Sequence, residues 1–200
     1  PVQLKQMLGQ PGQNLTAVAV KGNFDDAQTQ VKQILNDQAF NQCLIDNGYQ
    51  FSSANSMIIG RLIPQVVYYF AAYGQLVEQG QIKLGDAINF TVPTGNFGDI
   101  LAGWYAKKLG LPIKKLICAS NENNVLTDFF TTGRYDRRRD FHLTSAPAMD
   151  ILVSSNLERL LFDVYDENAP AVKDLMERLQ NDGFYQVTPA AKDKLDQAFA

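Results

Sequence analysis

Apolar residues along the chain follow two alternating rhythms: short unbroken runs, and longer stretches in which they return every three or four positions. The runs "LTAVAV" (15–20), "AINFTV" (87–92) and "KKLICAS" (114–120) are bounded by turn formers and predict buried strands. Helical spacing fills the intervals. After "KGNFDD", Val31, Ile34 and Leu35 share a face, with Asp25 as helix N-cap and Gln28 three residues on. Ile59, Leu62, Ile63, Val66, Val67, Phe70 and Val77 predict a helix through about Gln79, whose first turns Pro64 restricts or kinks. Ile100, Leu101, Trp104, Tyr105 and Leu109 mark another, closed by Gly110 with Pro112 just beyond. Helical patterns also cover Leu4, Met7 and Leu8, a short segment ended by Gly133, and "NLERLLFDVYDE", "AVKDLMERLQNDG" and "VTPAAKDKLDQAFA". The last has Thr188 as N-cap and Pro189 at the first helical position. Strands alternating with helices predict an α/β fold: a parallel sheet flanked by helices on both faces.

Composition narrows the class without changing it. Two hundred residues, 46% apolar and 20% charged, suit one α/β domain of ordinary size and neither a disordered nor a membrane chain. Eighteen basic against 21 acidic residues leave −3, too little of either sign for a nucleic-acid footprint or an anionic-membrane binder. A small, weakly charged partner is the expectation. With no apolar run long enough to span a bilayer and no signal-peptide pattern, the expected location is cytoplasmic. Cys43 and Cys118 sit among apolar neighbours without metal or disulfide spacing, and are expected to be buried free thiols. Pro1 in place of Met suggests processing or a fragment.

Two polar constellations interrupt the pattern. "TGNFGD" (94–99) lies between a predicted strand and a predicted helix, where α/β sheets place their ligands. Gly95 and Gly98 can take dihedrals closed to other residues, and successive N–H groups can form an anion nest. Asp99 favours the helix start but repels an anion unless its side chain faces away. By spacing alone, phosphate binding and an ordinary strand-to-helix turn are both open. In "SSANSMIIGR", Ser52, Ser53, Asn55 and Ser56 precede a helix and Arg61 follows. That is either a capping cluster with a solvated arginine or a second oxyanion site whose guanidinium grips two oxygens. "RYDRRRD" (134–140) reads as a solvated loop within an irregular stretch reaching 148. The lone His142 reads as structural or surface, and Tyr68 and Tyr69 as packing residues with wet hydroxyls.

Both constellations, together with "GNFDDAQ", "SSANSMIIGRLIPQVVYYF", "VPTGNFGDILAGWYAKKLGLPI" and "SAPAMDILVSSNLERLLF", resemble threonine synthase over most of the chain. That is a pyridoxal 5′-phosphate (PLP) enzyme of the tryptophan synthase β-like fold. The resemblance implies that Gly95, Asn96, Phe97, Gly98 and Asp99 form the cup for the cofactor phosphate. It implies that Asn55, Ser56 and Arg61 hold the phosphate of O-phospho-L-homoserine, which the family converts with water to L-threonine and phosphate. No lysine here stands in the context the family gives its cofactor-bearing lysine, and the hydroxyl facing the pyridine nitrogen is expected after residue 200. Residues 1–200 are thus expected to be a single α/β piece of the catalytic region, inactive alone. Another PLP lyase of the same fold, or a nonenzymatic binder of a phosphorylated small molecule, are the alternative readings. The arginine cluster argues against the first, since a substrate without phosphate has no need of Arg61.

Overall fold

The computed structural model describes residues 12–18, 20–22, 24–52 and 58–200, and the expected opening helix lies outside them. The chain divides into two compact units, Pro1–Phe51 and Ser52–Ala200. In the first, helices α1 (Phe24–Asn36) and α2 (Gln38–Asp46) are the described elements. Asp25 falls inside the first turn of α1 instead of capping it. The capping aspartate is Asp37, whose carboxylate accepts from the Phe40 N–H at 2.9 Å to start α2, a helix the apolar pattern did not single out. Residues 15–18 and 20 form no strand; Leu15, Val18 and Val20 are exposed, and no described strand of this unit supplies a ladder for them. Cys43 is exposed, contrary to expectation, because α2 buries no residue.

The second unit is the α/β fold that the alternation predicts. Strand β1 (Ile88–Pro93) runs parallel to β2 (Ile113–Ala119), with Val92 opposite Cys118 and Pro93 opposite Ala119. Helix α4 (Gly98–Lys108) connects them, giving a βαβ unit. Along the other edge of β2, Phe199 pairs with Leu116, and Ala200 exchanges hydrogen bonds with Leu116 and Cys118 at 3.0 and 2.9 Å. Helix α3 (Ile59–Glu78) packs on α4, and α5 (Val125–Thr132) and α8 (Pro189–Ala198) contact β2. Leu62, Ile100, Leu101, Ala102, Ala106, Leu116 and Leu195 are fully buried between these elements. Pro64 sits inside α3, near the start where the sequence places its effect.

Helices α6 (Leu157–Val164) and α7 (Ala169–Asn181) complete the unit with an antiparallel pair, β3 (Arg134–Asp136) and β4 (Phe184–Gln186). The expectation of a solvated loop at 134–140 is therefore corrected over its first three residues. Tyr135, 1% exposed, stacks on Tyr185 at 5.3 Å, while Arg134 and Arg138 lie over the Phe184 ring. One apolar residue inside a charged run was enough to bury the strand, since its neighbours' guanidinium groups cover an aromatic face.

The α3–α4 contact is unusually close at Gly103. A Cβ there would stand 2.6 Å from Tyr69 Cε1 and 2.9 Å from Leu116 Cδ2. Tyr69 cannot swing aside cheaply, because its hydroxyl donates into the first turn of α4. Gly103→Ala should therefore overpack this crossing and cost about 1–3 kcal/mol in stability by urea denaturation; an unchanged midpoint would show that the helices separate freely.

Candidate active site

The turn from β1 into α4 is built around Phe97. Its φ of 63° places a non-glycine residue in the left-handed region, while neither Gly95 nor Gly98 has positive φ, so the special backbone freedom assigned to the glycines is used by the phenylalanine instead. The conformation costs roughly 1–2 kcal/mol for an L-residue, and burying the ring returns roughly 1.5–3 kcal/mol. Phe97 is 1% exposed, against Phe130 and Phe199 at centroid distances of 5.9 and 5.8 Å. Gly95 has a different reason to be glycine: a Cβ would meet the Ala148 carbonyl oxygen at 2.5 Å.

The turn leaves donors unspent. Helix α4 has Phe97 at its N-cap and no side-chain cap. Among the described residues, no protein acceptor takes the N–H groups of Gly95, Asn96, Phe97 or Gly98; the preceding Thr94 N–H is already bonded to the Ala119 carbonyl at 2.9 Å. Consecutive free N–H groups at the positive end of a helix suit an anion. Asp99 is turned to α3, where its Oδ1 and its backbone carbonyl both accept from the Tyr69 hydroxyl, at 3.1 and 2.9 Å. Burial raises the Asp99 carboxyl above its ordinary range, with the Tyr69 hydrogen bond partly offsetting it. Burial, followed by the Asp99 charge, pushes the Tyr69 phenol far up, so it remains a donor. Its hydroxyl is not wet, as the sequence suggested, but committed to Asp99; Tyr68 is the exposed member of the pair.

A second segment backs the turn. Ser154 Oγ donates to the Gly95 carbonyl at 2.9 Å, Asn156 donates to the Asn96 carbonyl through both its backbone N–H (3.1 Å) and Nδ2 (2.9 Å), and Ser155 Oγ reaches Asn96 Oδ1 at 3.3 Å. This segment is anchored in turn by Asp150, 2% exposed, whose carboxylate accepts from the Thr144 N–H and hydroxyl and from Asn121 and Asn123. Desolvation pushes the Asp150 carboxyl up, but these hydrogen bonds outweigh it and leave it below its ordinary 3.8. His142 is exposed and joins the network only through its backbone. Cys118, under the turn, is pushed up to about 11 by burial and is an inert thiol.

A cavity of about 740 Å³ lies at the opposite end of α4, lined by Trp104, Lys107, Lys108, Asp163 and Lys194 among others. Four of its charges pair, Lys108 with Asp163 and Lys194 with Asp166, while the Trp104 indole donates to Asp163 and Lys107 to the Lys114 carbonyl. Size alone therefore does not make it the site. Among the described residues no cluster of ligating side chains suits a metal, and no helix is long and apolar enough to cross a membrane.

Comparison with known proteins agrees with the geometry. The chain is 47% identical over 199 residues to threonine synthase-like 1 of Homo sapiens, covering 98% of this chain and 27% of that protein. It is 42% identical over 182 residues to the threonine synthase of Pseudomonas aeruginosa, covering 91% of this chain and 36% of that one. The PLP-bound threonine synthase of Brucella melitensis superposes with a TM-score of 0.84 at 40% identity, over all of this chain and 40% of that structure. Over nearly its whole length the chain is similar to threonine synthases. No protein-family model matches it, and it spans 27–40% of the length of these relatives.

Against that family background, the resemblance segments divide. "VPTGNFGDILAGWYAKKLGLPI" and "SAPAMDILVSSNLERLLF" are the two that meet at the turn, and the second carries no site residue among the expectations. Arg61 stands exposed on the first turn of α3, while Asn55 and Ser56 lie outside the described residues. The two lysines followed by aspartate, Lys173 and Lys192, pair along their own helices with Glu177 and Asp196. Among the described residues no lysine is bonded to residues 94–99.

The buried carboxylate gives this threonine synthase relative a distinct acid response. Because the folded value of Asp150 is depressed, its stabilisation is present above 3.8 and is lost as pH falls through the lower folded value. Asp150→Asn should be less stable than wild type by about 1–3 kcal/mol at pH 7, and the gap should narrow below pH 4. Urea midpoints across pH 7 to 3 measure it, and a gap independent of pH would contradict the assignment.

Proposed function

We propose that this chain forms the phosphate-binding region of a PLP-dependent threonine synthase acting on O-phospho-L-homoserine and water to give L-threonine and phosphate. The observation that carries the reading is the run of N–H groups at Gly95–Gly98, without protein acceptors among the described residues and at a helix start, in a chain similar to a PLP-bound threonine synthase. The donor set fits a phosphate: it offers hydrogen bonds and a helix dipole, and the nearby acidic group, Asp99, is engaged by Tyr69. Bound there, PLP supplies an electron-accepting ring that stabilises negative charge on the substrate carbon next to its amine.

In this reading Gly95, Asn96, Phe97, Gly98 and Asp99 hold the cofactor phosphate through their backbone. Asn55, Ser56 and Arg61 hold the substrate phosphate, with the Arg61 guanidinium gripping two oxygens and retaining the charge as the group departs. Two phosphates in one site repel each other, so each needs its own donors, and the two clusters provide that separation. The cofactor-bearing lysine and the group facing the pyridine nitrogen are assigned to other segments of the longer protein, and the chain alone is proposed not to turn substrate over.

The test is Arg61→Ala in the full-length protein. Loss of a charge-assisted, two-pronged contact should lower kcat/KM for O-phospho-L-homoserine roughly 10- to 100-fold while PLP affinity stays at the wild-type value. Unchanged turnover would remove Arg61 from the substrate site.

A further inference from the structure

We propose that Asn156, with Ser154 beside it, is the positioning clamp that presents the glycine loop to the cofactor phosphate. This rests on the reading that the loop holds that phosphate, and goes beyond it by naming what sets the loop's orientation. In a trans peptide the carbonyl of one residue and the N–H of the next point in opposite directions. No cis peptide occurs among the described residues. Holding the Gly95 carbonyl against Ser154 Oγ therefore turns the Asn96 N–H the other way, and holding the Asn96 carbonyl against Asn156 does the same for the Phe97 N–H. The donors face the ligand side because their partner oxygens are tied down on the far side.

The chemistry of Asn156 supports a dedicated role. Asparagine is a preferred N-cap, and Asn156 occupies the N-cap of α6, yet its side chain makes no cap bond to that helix. Its Nδ2 instead donates to a carbonyl 60 residues away in the sequence, its buried Oδ1 has no partner among the described residues, and the residue is 1% exposed. Its backbone N–H goes to the same carbonyl oxygen, so two donors converge on one acceptor. A capping residue that leaves its own helix uncapped to hold a loop carbonyl, at full burial, gives up a cap bond to keep that loop in place. Ser154 is locked from behind as well: its N–H donates to the Tyr135 hydroxyl at 2.8 Å, which itself donates to the Leu152 carbonyl at 3.0 Å.

The test compares PLP with pyridoxal, which lacks the phosphate, as ligands of the full-length protein by absorbance titration. Wild type should prefer PLP strongly, and Asn156→Ala should reduce the ratio of the two affinities roughly tenfold while pyridoxal affinity changes less than about twofold. A general loosening of the fold would weaken both ligands together, so the ratio isolates positioning. Ser154→Ala, which deletes one hydroxyl, carries the same expectation should Asn156→Ala fail to fold. A wild-type ratio in the variants, or equal loss of both ligands, overturns the clamp and leaves the cup standing. Absence of any PLP preference in wild type overturns the cup itself, and the clamp with it.

Discussion

A buried phenylalanine in the left-handed backbone region directs the second unit. Phe97 accepts that conformation because its ring is seated between Phe130 of α5 and Phe199 beside β2, and the reversal it makes is what launches α4 from the end of β1. Every later feature follows from that direction. The N–H groups before α4 emerge without partners among the described residues, Gly103 arrives under the Tyr69 ring, and the buried face of α4 meets Leu116 on the sheet. A strain of roughly 1–2 kcal/mol is tolerable only where packing over-determines it, and such strain tends to gather where a ligand is bound.

The turn is held from two sides by different chemistry. On one side, α3 contributes a phenol that occupies Asp99 and rests on Gly103, tying α3 to the first turns of α4. On the other, the segment from Asp150 to Asn156 applies hydrogen bonds to backbone carbonyls and is itself fixed by a buried carboxylate with four donors. Arg61 is carried on the same α3 whose Tyr69 touches the turn. In the proposed reading, that shared helix fixes Arg61 relative to the turn, as two phosphates held without shared donors require.

Much of this was legible in the sequence, and the limits are instructive. Period and punctuation located β1, α4, β2, α3 and the cap at Thr188 because each is a local rule: a short apolar run, a 3.6-residue stripe, a glycine or proline at a boundary. "LTAVAV" shows the opposite case, since an apolar run specifies a strand only where a partner ladder exists. Strand β3 was hidden because arginines that look solvated can cover an aromatic ring. Of the proposed site, the glycine loop stands out by its spacing and Arg61 by resemblance, but the residues bonded to the loop's carbonyls do not. Ser154 and Asn156 act across about 60 positions of sequence, and no local rule connects them to the loop. Tyr69 was hidden for the same reason, its hydroxyl being committed to a residue 30 positions away.

The central claim is that Gly95–Asp99 is a cofactor phosphate cup whose carbonyls are held away from the ligand. A crystal structure of the full-length protein with PLP tests it most directly. The account predicts the cofactor phosphate within about 2.7–3.2 Å of the N–H groups of Asn96, Phe97 and Gly98, with the Gly95 and Asn96 carbonyls still on Ser154 and Asn156. A phosphate bound elsewhere, or a loop that releases Asn156 to receive it, would contradict the account.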